Sequence, residues 1–279
     1  MFGRGKKGAE AQKPQKVKKE KKVYVPVPGI MGMGEDYHIY DMTLMNRLKA
    51  VGIGIVIGVA VGYVFFENVI AAVVLSAAVA VAAQEPFREY CKKQRLKKLL
   101  LQFKDLLETL TSSYSAGQTT TMAFADAMGE MASLYGENSD IVSELRMINA
   151  GLQHNYNIED LLLNFAQRSG LDDVDSFANV FEVCNRKGGN IKQIVAETRS
   201  VINDKIEIEM EIQTMIAGAK NELNIMMVMP FIIMLAMRGL GSTATGASAL
   251  LINFIAKLVA LGIFAGAYVV GSKLVDIKM

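Results

Sequence analysis

The residue types that most often carry chemistry are few in this chain and lie far apart. Its two histidines are His38, which precedes the first apolar run, and His154, which lies in a predicted turn, and neither has a carboxylate or nucleophile at a spacing that would fix it beside the ring. The two cysteines, Cys91 and Cys184, form no CxxC pair and have no histidine at metal-ligand spacing. The sequence therefore predicts no catalytic, cofactor or metal site, and both cysteines are interpreted as structural thiols.

Two charged motifs match ligand sites only in part. The segment GRGKKG, residues 3 to 8, lacks the four-residue spacer and the Ser or Thr of a phosphate-binding loop, and no strand precedes it. Asp172, Asp173 and Asp175 could attract a cation, but they are explained more simply as first-turn charges that complement a helix dipole. The chain is accordingly predicted not to be an enzyme.

The N-terminal residues 1–45 are predicted to form a basic, disordered cytoplasmic tail and a linker. Residues 1–22 carry nine Lys or Arg against two Glu and contain no apolar run. The first apolar run begins near Val51, which is too far from the N-terminus for a secretory signal. Lipid is a better partner for this tail than nucleic acid because a membrane span follows, and a solvated tail that only sets topology is the simplest interpretation.

Apolar residues make up 51% of the 279 positions, which favours a membrane protein. Residues 50–83 are apolar except near Glu67 and Asn68, and their length exceeds the roughly 20 residues that one helix needs to cross a bilayer. The sequence therefore predicts a transmembrane hairpin over 46–83 and a second one over 223–279.

Lys and Arg accumulate at one side of this four-span arrangement. They lie in the tail, directly after the first hairpin, and at the C-terminus. The distribution predicts that both termini and residues 84–222 are cytoplasmic.

Three features lie inside the predicted spans. Gly54, Gly58 and Gly62 recur every fourth residue, which favours close helix packing or self-association, although glycine is also common in membrane helices generally. Lys257 indicates either a polar pathway or a side chain that extends to the outer interface near Glu67. Pro230 predicts a kink in the third span.

Residues 84–222 show helical periodicity and no sustained strand alternation, which predicts a string of helical hairpins. One hairpin turns at Gly117 and another at Gly188 and Gly189, about 70 residues later. This similarity indicates either an internal duplication or the general likeness of any two helical hairpins.

A long helix is predicted to follow the second of these turns. Asn190, with Gln193 three positions later, can cap its N-terminus. Residues 205–216, KIEIEMEIQTMI, alternate with period two, but they have no flanking turn signals and consist largely of good helix formers. We therefore expect one helix from about Ile191 towards the third span.

The order of these features resembles the secretion-system F family. The resemblance covers about residues 45–279. It depends on the order of two spans, a Lys- and Arg-rich segment directly after them, hairpins that turn at SAGQT and NRKGGNI, a long helix, and a third span that contains MVMP. Gly188, Gly189 and Asn190 look like the second-repeat signature of that family, and Gly117 like part of the first. The four-span layout looks most like the tight-adherence pilus branch.

The resemblance implies a mechanical role and a set of partners. Such proteins are multi-pass platform proteins of type IV pilus and type II secretion machines. They lie in the inner or plasma membrane of bacteria or archaea. The implied partners are a hexameric secretion ATPase, pilin subunits, the lipid bilayer, and either a second platform protein or further copies of this chain in a homo-oligomer. Nucleic acid is not among them. Gly117, Gly188, Gly189, Asn190 and Pro230 would be critical for geometry, the glycines by supplying a positive backbone φ and the proline by bending its helix, and they would bind no ligand. The alternative is a small membrane transporter or channel subunit whose path includes Lys257.

Overall fold

The computed structural model describes residues 26–30, 32, 34–66, 69–239, and 259, 262, 263, 266, 267 and 269–271, with the backbone alone for 63–66, 69–72 and 237–239. The tail up to residue 25, the turn at Glu67 and Asn68, and Lys257 lie outside these residues. Within the described part of the chain the structure is helical and contains no strand, so the all-α prediction is confirmed.

The described helices follow one another with short connections. They are α1 (Leu44–Phe66), α2 (Val69–Ala82), α3 (Gln84–Ser115), α4 (Thr120–Tyr135), α5 (Asp140–Gln153), α6 (Ile158–Ser169), α7 (Asp172–Lys187) and α8 (Ile191–Gly239).

Helices α1 and α2 form an antiparallel apolar hairpin. A Cβ at Gly54 would approach the Cα of Ala80 to 2.6 Å, and a Cβ at Gly58 would approach the Cα of Ser76 to 2.4 Å. Glycine is therefore required at both positions for this backbone separation. The glycine repeat of the sequence serves packing within the chain at these two residues.

Helices α3 to α7 and the first turns of α8 enclose one core. The ring of Phe103, on α3, lies edge-on to Phe177 of α7 at 5.6 Å and to Phe165 of α6 at 6.1 Å between centroids. Val195 and Ile202 of α8 are also fully buried in this core. Burial of the apolar faces of these amphipathic helices drives the formation of this helical domain.

Two helices of the described chain, at Leu44–Gly62 and Ile191–Ala236, are long and apolar enough to cross a membrane. Their apolar side chains are largely exposed, with Val56 at 70% and Met226 at 63% of full exposure. Exposed apolar surfaces of this kind are consistent with contact with a lipid bilayer. Helix α2 is equally apolar, but its 14 residues fall short of the length that a single span requires.

Candidate functional site

The first predicted turn residue, Gly117, ends α3 with a backbone φ of +77°. The amide of Gln118 donates to the carbonyl of Ser113 at 3.1 Å, which closes the helix end. Thr119 then caps α4, because its hydroxyl accepts a hydrogen bond from the amide of Met122. Glycine is favoured at position 117 because other residues adopt this φ only with strain.

The second predicted turn uses its two glycines in different ways. Gly188 has φ +72° and terminates α7 in the left-handed conformation. Gly189 is not in that conformation. A Cβ there would come within 2.3 Å of the Sγ of Cys184, while its amide donates to the Cys184 carbonyl at 2.8 Å. The third residue, Asn190, accepts from the amide of Gln193 at 3.2 Å and so caps α8.

Helix α8 runs for 49 residues and connects the helical domain to the apolar end of the molecule. At 1.5 Å per residue this is a rod of about 70 Å. The segment that alternates with period two lies within it, as expected for a helix. Pro230 lies inside the helix, and its missing amide leaves one carbonyl of the preceding turn without its usual donor.

A segment before α1, residues 34–40, packs against the helical domain and is called the strap. Its Tyr37 is 3% exposed, and the phenol donates to the carboxylate of Glu144 at 2.9 Å. Arg168, fully buried, donates to the same carboxylate through Nη1 at 2.8 Å and to the carbonyl of Glu35 at 3.0 Å. A buried ion pair is thus shared between α5, α6 and the strap.

A second arginine holds the strap from the side of α3. Arg95 donates to both oxygens of Asp140, at 2.6 and 3.0 Å, and to Glu35 at 2.6 Å. Its guanidinium carbon lies 4.8 Å from the centre of the Tyr37 ring, a cation–π distance. Burial and the Glu144 carboxylate raise the pKa of Tyr37 far above its usual value, so the phenol keeps its proton.

The strap is the element that sequence reasoning missed. Residues 1–45 were interpreted as tail and linker because the first 22 residues are strongly basic and contain no apolar run. The available signal was a cluster of charged and aromatic residues, Glu35, Asp36 and Tyr37. Such a cluster does not reveal its partners, because Glu144 and Arg168 lie more than 100 residues away in sequence.

The histidines and cysteines are dispersed in the structure. The Nδ1 of His38 lies 3.1 Å from the carboxylate of Asp36, a pairing that the spacing analysis did not identify. His154 caps the end of α5. Cys91 and Cys184 are both free thiols. Among the described residues no group of three or more His, Cys, Asp or Glu is placed to hold a metal ion.

Comparison of the chain with protein-family models, with curated proteins and with solved structures gives no match. The secretion-system F resemblance therefore rests on the motifs and their order.

Proposed function

We propose that this protein is a membrane platform subunit of a tight-adherence-like type IV pilus or type II secretion machine. In this role it couples a cytoplasmic secretion ATPase to the extraction and assembly of pilins, with no catalytic step of its own. The observation that carries the proposal is the continuity of α8. One helix begins in the buried core of the helical domain, at Val195 and Ile202, and ends among exposed apolar residues such as Met226.

In the proposed topology the chain crosses the membrane four times with both termini in the cytoplasm. The antiparallel α1–α2 hairpin supports the first pair of spans, in which the returning helix α2 is the shorter of the two. For the second pair, Gly271 lies against Leu223, where a Cβ on the glycine would meet the leucine Cδ1 at 2.6 Å. This approach of residue 271 to residue 223 supports a second hairpin over 223–279.

The transmission of work depends on stiff connections between the helical domain and the apolar helices, and the described chain contains three such connections. Helix α8 is one. Ala83, between α2 and α3, has helical φ and ψ of −73° and −16°, so the hairpin continues into α3 with little interruption. The strap is the third, since it joins the domain to the start of α1. A displacement of the domain would therefore move both apolar elements.

The ATPase is assigned to the end of the domain that lies farthest from the apolar elements. Helix α3 leads away from the hairpin and ends at Ser115, just before Gly117, and α8 starts after Gly188 and leads back to its apolar half. Both glycine turns thus lie at the distal end. Pilin subunits, which leave the bilayer during assembly, are assigned to the exposed apolar faces of α1, α2 and α8.

A proline in the exposed middle of α8 tests the mechanical role. Gln213 is exposed, and a proline there removes an amide donor and costs about 3 kcal/mol of helix stability locally. Gln213→Pro should leave both the domain and the membrane insertion intact but abolish pilus assembly. Gln213→Ala, the matched control, should assemble normally. Normal assembly by the proline variant, with its expression confirmed, would refute coupling through α8.

Site-directed crosslinking tests the partner and the topology. In a chain with Cys91 and Cys184 replaced, a single thiol at the half-buried Gln118 or at the exposed Asn190 should capture the ATPase, whereas one at Leu134 should do so less well. The same thiol at Asn190 should resist an impermeant reagent that is added outside intact cells. Labelling of Asn190 from outside would reverse the topology.

A further inference from the structure

A crevice of about 290 Å³ lies at the end of the apolar hairpin where α1 begins and α2 passes into α3. Its walls are residues 40–42 and Arg47 on one side and Gln84, Glu85 and Arg88 on the other. Exposed apolar side chains adjoin it on both helices, with Leu44 at 77%, Leu48 at 69% and Val81 at 70% of full exposure. In the proposed membrane this is the level of the lipid headgroups, with the apolar side chains facing the acyl chains.

The crevice contains hydrogen-bond donors that suit a phosphate. No described residue accepts a hydrogen bond from the Arg47 guanidinium, and Arg88 lies 3.7 Å from Glu85, too far for a short charge-assisted bond. The Tyr40 phenol oxygen accepts from the side-chain amide of Asn46 at 2.9 Å, which leaves its own hydrogen available to donate. Two arginines and a tyrosine therefore line one space.

The same crevice also contains acceptors. Asp41 forms no side-chain hydrogen bond with a described residue, and the Glu85 side chain is 78% exposed. Two carboxylates beside two guanidiniums cancel the net charge, so a purely anionic headgroup would meet repulsion as well as attraction. A ligand that carries both a phosphate and an ammonium group satisfies all four charges.

We propose that this crevice binds the phosphoethanolamine headgroup of a phospholipid. The phosphate is held by Arg47, Arg88 and the Tyr40 hydroxyl, and the primary ammonium donates to Asp41 and Glu85. The acyl chains lie along the exposed residues of α1 and α2. The bound lipid thereby joins the two helices at the point where the strap and α3 leave the membrane. This inference rests on the proposed insertion of the hairpin.

The test measures lipid binding by the full chain in detergent, with native mass spectrometry as the readout. The lipids compared are phosphatidylethanolamine, phosphatidylcholine and phosphatidylglycerol with identical acyl chains. The ethanolamine lipid should bind about tenfold more tightly than the choline lipid, whose trimethylated ammonium cannot donate hydrogen bonds to the carboxylates. It should also bind more tightly than the glycerol lipid. Equal binding of all three, or preference for the anionic one, would overturn the proposal.

Two pairs of substitutions separate the two halves of the crevice. Arg47→Gln with Arg88→Gln should remove the tight binding of every phospholipid. Asp41→Asn with Glu85→Gln should retain binding but abolish the preference for ethanolamine over choline. Arg186→Gln with Lys187→Gln removes the same charge from exposed positions at the distal end of α7 and should change nothing. A preference that survives the loss of both carboxylates would contradict the assignment.

Soluble competitors identify the source of the ligand. Glycerophosphoethanolamine should compete only weakly with the lipid for the crevice, because it lacks the acyl chains. Inorganic phosphate should not compete, because it lacks both the acyl chains and the ammonium group. Displacement by inorganic phosphate at equal concentration would make this a free-anion site and refute the lipid assignment. If the chain does not enter membranes in cells, the proposed function fails. If it does enter but shows no lipid preference, only this inference fails.

Discussion

Arg168 and Glu144 form a two-point ion pair in the interior of the helical domain, with side-chain exposures of 0% and 2%. Each nitrogen of the guanidinium has a partner, since Nε also donates to the side-chain oxygen of Asn164 at 2.8 Å. The carboxylate in turn accepts from Tyr37 of the strap. Because all these charged and polar groups are satisfied, the pair can be buried, and it joins a non-periodic N-terminal segment to two helices.

The loss of one partner of this pair should destabilise the domain strongly. Arg168→Met leaves Glu144 buried without its cation, and we expect a loss of about 3–5 kcal/mol in the free energy of unfolding. Chemical denaturation of the full chain, followed by circular dichroism, measures the effect. Adding Glu144→Leu should recover part of the loss. Arg146→Met, which breaks an exposed pair with Glu137, should cost less than about 1 kcal/mol. Equal effects at the two arginines would argue against a buried network.

The two glycines of the α7–α8 turn should respond differently to a second substitution. Gly189→Ala places a methyl group against the Cys184 sulfur, so Cys184→Ala in the same chain should restore much of the lost stability. Gly188→Ala is strained by its positive φ, and Cys184→Ala should not rescue it. Thermal unfolding of the four variants checks this difference. A rescue of both glycine variants, or of neither, would be inconsistent with the geometry.

The close approach of α1 and α2 should make Gly58 intolerant of larger residues. Gly58→Val would force the helices apart at Ser76, whereas a Cβ at Gly52 meets no atom within 4 Å, so Gly52→Val is the matched control. We expect the Gly58 variant to be degraded or poorly inserted and the Gly52 variant to accumulate normally. Immunoblots of membrane fractions measure both. Equal accumulation of the two variants would refute tight packing at this position.

Ionisation of Tyr135 should lower the free energy of unfolding at alkaline pH. Burial, followed by the hydrogen bond from its phenol to Asp105, raises the pKa of Tyr135 to about 12 from the usual value near 10. Since the folded-state pKa is the higher one, the stabilisation is complete below pH 10 and is lost as the pH rises towards 12.

Tyr135→Phe provides the comparison that isolates this residue from the other tyrosines. Below pH 10 the variant should be less stable than the natural chain by about 1–2 kcal/mol, and the difference should shrink as the pH approaches 12. Urea denaturation over this pH range gives the measurement. A constant difference across the range would exclude the ionisation of Tyr135 as the cause.

Local sequence signals were sufficient wherever the structure depends on neighbouring residues. The start of α8 at Ile191, its capping by Asn190, and the helical state of residues 205–216 all follow from caps and helix propensity, which act over one or two turns. The all-α character follows from periodicity in the same way. The apolar composition of residues 50–83 predicted a hairpin for an equally local reason, because a span is defined by length and polarity.

Other features depended on residues that are distant in sequence. Gly189 was expected to supply a positive φ, but it is required because the Cys184 sulfur lies beneath it, and a motif does not show what packs behind it. The strap could not be predicted because Tyr37 acquires its partners only when α5 and α6 come together. The crevice lined by Arg47 and Arg88 likewise combines residues from the segment before α1, from α1 and from α3.

The sequence by itself determined the class of molecule: a helical chain with apolar segments long enough for a bilayer and turns at Gly117 and Gly188. The tertiary structure decided which charges are buried, which glycines face a neighbour, and how residues 34–40 are held. The physical reason is one of range. Helix propensity and hydropathy act along the chain, whereas desolvation, ion pairing and close packing act between surfaces that meet only in the folded protein.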